Sequence, residues 1–254
     1  MPAVFLGHGS PMNTLAHNRY TAAWRKLGRE LPRPKAILAV SAHWYIRGIA
    51  VTAMQTPRTI HDFGGFPQAL FDVRYPAPGD PALAERVREL LSPLPVELDR
   101  SWGLDHGTWS VLAHVYPDAD IPVVQLAIDA TRPASFHYEL AAKLRPLREE
   151  GVLILGSGNV VHNLRVIDWK ENAPGYDWAQ RFDGQVRDHL ARADHVPLIE
   201  YERFGDDARM AVPTAEHYLP LLYVIGLQEE GEKIEFPVDG LQNGSISMLS
   251  AVIG

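Results

Sequence analysis

Short, unbroken apolar runs separated by segments of helical period constrain this chain more than any other feature. Val4–Leu6, Ala36–Ala42, Pro122–Ile128 and Val152–Leu155 are continuous rather than alternating. A run of that length with no polar face reads as a strand buried on both sides. Ile49–Met54 and Val96–Leu98 read as further strands. Between them, Tyr20–Leu31 places Trp24, Leu27 and Leu31 at helical spacing and stops before Pro32 and Pro34, which cannot continue a helix. Asp80–Leu91, with Pro81 in its first turn, is also helical, as are Thr108–Tyr116, Pro133–Glu150, Trp178–Ala193 and the short apolar Glu216–Gly226. The tail near Ser245–Val252 alternates and predicts an antiparallel edge strand. Residues 55–79 are rich in proline, glycine and aromatics, and long irregular segments of this kind are often functional. Strands alternating with helices from end to end predict an α/β domain spanning 1–254. Its central mixed, mostly parallel sheet has helices on both faces.

Charge and composition narrow the function. Asp and Glu outnumber Lys and Arg 31 to 24, a formal charge of −7, and no basic run occurs. Phosphate-backbone affinity comes mainly from cationic side chains, so nucleic acid is not an expected partner, and neither is an anionic membrane surface. No apolar stretch approaches the roughly 18 residues of a membrane span. The first residues lack the positive segment and cleavage site of a signal peptide, which leads to the expectation of a cytoplasmic protein. Oligomeric state is open, with a homo-oligomer allowed. The chain has no cysteine but 11 histidines. Thiolate metal sites, disulfides and cysteine nucleophiles are therefore excluded, and a transition metal would have to be held by imidazole and carboxylate.

Several histidines stand where sites in open α/β sheets are built, beyond the carboxyl ends of strands. His8 follows Val4–Leu6, His43 follows Ile37–Ala42, and His162 follows Val152–Leu155 and its glycine turn. His106 sits in the loop Trp102–Gly107, and His217 begins the Glu216–Gly226 helix. Convergence of these five on one end of the sheet would make a metal site, although no HExxH-type spacing is present. His17, His61, His114, His137, His189 and His195 fall mostly on helices or surface turns. Gly7-His8-Gly9-Ser10 and Gly156-Ser157-Gly158-Asn159 match neither a dinucleotide fingerprint nor a phosphate-binding loop, and neither is a GxSxG nucleophile elbow.

Six blocks carry a resemblance over nearly the whole chain. They are Gly7-His8-Gly9-Ser10-Pro11, Ser41-Ala42-His43-Trp44, His61-Asp62-Phe63-Gly64-Gly65-Phe66-Pro67, Asp105-His106-Gly107, Gly156 through Leu164, and Glu216 through Leu221. In that order they resemble the 4,5-DOPA extradiol dioxygenase group of the class III, LigB-type ring-cleavage dioxygenases. The resemblance implies a LigB-like fold that opens a catechol ring with O2 at one divalent metal. It implies His8, His43 and His217 as ligands, and His162 either as a fourth ligand or as the catalytic acid/base. His106 is implied to contact the substrate. Zinc is expected in the isolated protein and Fe(II) in the active one, because zinc is redox-inert. Better-known class III enzymes use two histidines and a glutamate, so Glu216 is the alternative to His217; adjacent helical side chains diverge by about 100° and would not both bind. Trp44, His61, Phe63 and Tyr218 are expected around the substrate, with Phe66, Trp102 and Trp109 as further aromatic candidates. Ser10 and Asn159 are expected to orient the histidines. A zinc-dependent hydrolase on the same scaffold and a non-enzymatic metal or small-molecule binder are the alternative functions.

Overall fold

The computed structural model describes residues 1–170 and 173–254. The apolar runs become the middle of an eight-stranded sheet. Its strands are β1 (Ala3–Gly7), β2 (Ala36–Ile46), β3 (Ile49–Thr52), β4 (Val96–Asp99), β5 (Val123–Asp129), β6 (Val152–Gly158), β7 (Ile234–Val238) and β10 (Ser250–Ile253). The spatial order is β4-β3-β5-β2-β6-β1-β10-β7. The central pairs β5-β2, β2-β6 and β6-β1 are parallel, whereas β1-β10, β10-β7 and β3-β5 are antiparallel. A two-stranded ribbon, β8 (Leu241–Gln242) with β9 (Ile246–Ser247), stands apart.

Both faces of the sheet are covered, which is why the central strands are apolar at every position. Successive side chains of a strand point to opposite faces. Phe5, Leu38, Val40 and Ile154 join one core with α3 (Pro81–Leu91), α5 (Ala134–Lys143), α7 (Asp177–Ala191) and α10 (Leu219–Ile225). Val4, Leu6, Ile37, Ala39 and Leu153 join the other, under α1 (Arg19–Glu30) and α4 (His106–Val115). The remaining helical segments are short: α2 (Gln68–Phe71), α6 (Arg145–Glu149), α8 (His195–Ile199) and α9 (Asp206–Ala211). No helix among the described residues is long and apolar enough to cross a membrane.

Several boundaries differ from the expectation for identifiable reasons. The helix expected over Pro133–Glu150 divides at Leu144, and Pro146 stands at the start of α6, a position that needs no backbone N–H donor. The alternating tail is not an edge. β10 lies between β1 and β7, and β7, half exposed and carrying Pro237, takes the edge. β6 runs through its glycines to Gly158 instead of turning at Gly156. His106 opens α4 rather than lying in the loop before it. His217 closes a single 3-10 turn, Ala215–His217, ahead of α10.

Candidate active site

Sheet register brings the first histidines together. Gly7 pairs with Gly158, and Ser41 pairs with Ser157. Gly7, Ser41 and the end of β6 thus lie level, and His8 and His43 follow just beyond that level. His43 sits where the β2-β5 register shifts, between Val40 and Tyr45. The close approach of other elements needs glycine at two places. A Cβ on Gly158 would run into the carbonyl oxygen of His217, and one on Gly107 would meet Ser41 Oγ at 2.5 Å and the His43 ring at 2.8 Å. Their hydrogen atoms let the His217 turn and the start of α4 close on the strand ends.

The five histidines expected to converge do so. His8 Nε2 and His43 Nε2 are 3.4 Å apart. His217 lies 5.3 Å from His8 and 5.1 Å from His43 between ring centroids. One ring nitrogen from each of His8, His43 and His217 falls within 4.8 Å of the others. His106 packs at 3.8 Å from His43, and His162 stacks face to face on His217 at 3.5 Å with planes 7° apart. His17, His114, His137, His189 and His195 lie outside this cluster, in turns and helices.

Four of the rings have a polar neighbour behind them. His8 Nδ1 meets Ser157 Oγ at 3.0 Å, and Ser157 Oγ donates to Gly107 O at 2.6 Å. Asp62 spans two histidines, with Oδ2 3.2 Å from His43 Nδ1 and Oδ1 2.9 Å from His106 Nδ1. Asp62 Oδ1 also accepts the His106 backbone N–H. Glu216 Oε1 accepts from Thr214 Oγ1 at 2.7 Å and lies 3.2 Å from His217 Nδ1. Asp105 caps α4, accepting from Thr108 N and from Ser41 Oγ, and Gln125 Nε2 donates to its second oxygen. That network fixes the first residue of α4 against β2 and β5, and hence His106 against His43.

Burial and mutual repulsion lower the pKa of His8, His43, His162 and His217. The His8 pKa falls well below its ordinary value, first because of burial and then because of His43 and His217. The His217 pKa falls for the same reasons, burial first and then His162. His43 is lowered to about 3 by burial and His106, against the pull of Asp62. Burial lowers His162 to about 4, against the pull of Glu216. Burial alone would raise the Asp62 carboxyl, but hydrogen bonding to His106 and the neighbouring imidazoles hold it below its usual range. Neutral imidazoles with convergent lone pairs are what a divalent ion requires. The fit is visible in His217, whose Nε2 is buried without a hydrogen-bond partner. Such an orphan is rare unless something else satisfies it. Glu216 is spent on Thr214 and the back of the His217 ring.

A cavity of about 290 Å³ opens in front of the cluster, walled by His8, His43, His106, His162 and His217 on one side and by Phe63 and Phe66 on another. Phe63 stands edge-on to His106. Of the other aromatic candidates, Trp44 stacks on Trp102 in a separate small cluster. His61 bonds Val73 O, and Trp109 is buried with its Nε1 donating to Ile60 O. Tyr218 is buried with its hydroxyl donating to Leu198 O. None of these side chains lines the cavity. Strand alternation accounts for Trp44, which follows His43 and so faces the other way. Ser10 caps the turn at Met12 rather than a histidine. Asn159 holds His217 through its backbone N–H, and its side chain bonds Ser247 O. Nothing in the sequence pattern alone marks Asp62 and Ser157 as buttresses. Their signal was adjacency: each lies inside one of the histidine-bearing blocks. Of the rim residues, Leu164 ends one of the histidine-bearing blocks, whereas Ile167 and Trp169 lie outside all of them.

Known proteins bear on this geometry. The chain is 56% identical to a 4,5-DOPA dioxygenase extradiol of Escherichia coli, over 100% of this chain and 95% of that protein. It is 35% identical to a 4,5-DOPA dioxygenase extradiol of Beta vulgaris, over 96% and 92%. A crystal structure of an uncharacterized protein from Escherichia coli K12 superposes with a TM-score of 0.88 at 51% identity, covering all of both chains. The family model described as the catalytic LigB subunit of aromatic ring-opening dioxygenase matches residues 3–254. With the five imidazoles gathered at the strand ends, the chain belongs to the LigB family of extradiol ring-opening dioxygenases.

Proposed function

We propose that the protein opens the ring of a DOPA-like catechol, using one divalent metal ion held by His8, His43 and His217. The observation that carries this reading is the approach of three buried imidazole nitrogens within 4.8 Å, with His217 Nε2 otherwise unpartnered. Bound there, Fe(II) would supply the redox chemistry that joins catechol to O2, which zinc cannot supply. Extradiol cleavage breaks the ring bond beside the diol and places both atoms of O2 in the product.

The chain's own residues handle protons and exclude water. His162 is the proton carrier in this reading: it borders the cavity, stacks on His217 and is neutral at pH 7. A neutral imidazole accepts a catechol proton and later returns it. His106, whose backbone N–H is held by Asp62 and whose Nδ1 lies 2.9 Å from the same carboxylate, has Nε2 to offer a substrate oxygen. Phe63 and Phe66 offer the flat apolar surface that an aromatic ring displaces water from.

The test is metal analysis followed by an oxygen-electrode assay. Protein loaded anaerobically with Fe(II) is expected to consume O2 with DOPA and form a yellow ring-opened product, and the zinc form is expected to do neither. An Fe(II) form inert toward DOPA and a panel of simple catechols would overturn the reading. Metal content unchanged in the double substitution His8→Ala/His43→Ala would overturn the ligand set.

A further inference from the structure

His162 takes its place from the small ribbon rather than from the main sheet. It stands opposite Ile246 in an antiparallel bridge, flanked by Ser247 N donating to Val161 O and Asn163 N donating to Ser245 O. Residues 161–163 therefore run along β9 as a third strand beside the β8-β9 ribbon. Residues directly opposite in such a pair share a face, and His162 and Ile246 both border the cavity. Ser247 follows Ile246 and so faces the other way. There its Oγ donates to Asp183 Oδ1 of α7. Ser247 O accepts from Asn159 Nδ2 at 2.7 Å, and Asn159 N donates to His217 O at 2.8 Å. Ser247 thus joins α7 to the backbone that leads into His162 and, through Asn159, to the turn that carries His217.

Helix packing alone does not call for a carboxylate at 183. The other buried residues of α7 are Ala179, Phe182, Val186 and Leu190, an apolar face at helical spacing. Asp183 falls on that face, where a carboxylate costs stability unless hydrogen bonds offset it. Asn159, Ser247 and Asp183 are all buried, so this chain of bonds is shielded from competing water. On its other side the His162 segment is bonded to the end of α9, with His162 N donating to Ala211 O and Asn163 Nδ2 to Met210 O. β9, backed by α7, is the opposing support. A group displaced by about 1 Å can lose about 10²-fold in rate, so the support behind a proton carrier bears on turnover.

We propose that Asp183 is a positioning residue for the ring-opening reaction: through Ser247 it fixes β9, and β9 fixes the His162 imidazole at the cavity wall. The proposal rests on the ring-opening reading for the reaction it serves; its structural half is measured separately. Asp183→Leu removes the acceptor and leaves an apolar side chain of similar size, Ser247→Ala removes the donor, and Asp183→Asn keeps an acceptor.

With DOPA and the Fe(II) enzyme, Asp183→Leu and Ser247→Ala are expected to lower kcat about tenfold or more, with KM within about twofold and metal content unchanged. Asp183→Asn is expected to keep about half of the native kcat or more. In a His162→Ala background, Asp183→Leu is expected to change kcat by less than about twofold, because the group it positions is gone. Amide hydrogen exchange of the zinc form gives a readout independent of turnover. The Asn163 and Ser247 amides are expected to exchange about tenfold faster in Asp183→Leu and Ser247→Ala, relative to Gln125 N, which is bonded to Thr52 Oγ1 in the main sheet. Native kcat in both of these variants would overturn the proposal. So would a full further loss in the His162→Ala background, or exchange at Asn163 and Ser247 that moves only in step with Gln125. Where Asp183→Leu does not fold, Ser247→Ala carries each comparison. If the native Fe(II) protein opens no catechol while exchange at Asn163 and Ser247 still quickens selectively, the ring-opening reading falls and the hold of Asp183 on the His162 segment stands.

Discussion

His162 and His137 show how burial sets two imidazoles to different ends. Each is lowered to about 4, chiefly by burial. His162 faces the cavity and His137 lies in the core, where its Nδ1 meets the Tyr223 hydroxyl at 3.0 Å. His162→Ala is expected to lose about 10²–10⁴ in turnover, the usual span for a proton-transfer group, with metal content retained. Stopped-flow product formation alongside metal analysis checks this. His137 affects stability instead. The unfolded chain binds its proton near pH 6.5 and the folded one near 4, so the unfolded state holds more protons between those values. Stability from this group is therefore full above about pH 6.5 and is lost as pH falls toward 4, by about 3 kcal/mol. Urea titrations at pH 7.5 and pH 4.5 are expected to show a smaller loss in His137→Asn than in the native protein. Asp183 runs the opposite way: burial raises it to about 6, so its contribution is present below about pH 4 and is lost as pH rises through 6.

At the scale of elements, the site is a matter of how closely segments approach. β6 and the 3-10 turn that carries His217 touch backbone to backbone at Gly158, where a Cβ would meet the His217 carbonyl. A backbone atom cannot swing aside as a side-chain tip can. Gly158→Ala is therefore expected to cost about 2 kcal/mol or more and to weaken metal retention. Gly184, inside α7, has open space where its Cβ would be. Gly184→Ala is expected to stabilise by about 0.5–1 kcal/mol through helix propensity alone. Chemical denaturation of the pair separates close approach from the ordinary cost of glycine. The same scale explains the displaced boundaries: Pro146 restarts a helix after Leu144, and β10 becomes an interior strand because β7 covers its outer side.

For the whole molecule, a metal held by the proposed ligands would act on stability as well as on chemistry. An ion that binds the folded form and not the unfolded chain raises stability with its concentration, by about 2.7 kcal/mol at a hundredfold excess over Kd. Zinc is expected to raise the thermal midpoint of the native protein and to leave that of His8→Ala/His43→Ala nearly unmoved, as scanning fluorimetry would report. The chain ends are gathered elsewhere, around a single buried cation. Arg148 donates to Met1 O, Leu227 O and Glu232, and the N-terminal amine donates back to Arg148 O.

Local patterning was enough to read the α/β class, the central strands, most helices and the histidines that converge, because burial on both faces and helical period are written into consecutive residues. Asp62 as a clamp on two histidines, Ser157 behind His8, and the turning of Trp44, His61 and Tyr218 away from the cavity were settled only by the folded chain. Those facts depend on which way a side chain points and on what a distant segment brings to it. Asp62 lies 44 positions before His106, and Ser157 lies 149 after His8. No periodicity within either segment encodes such a meeting; sheet register and the close approach at Gly107 and Gly158 bring it about.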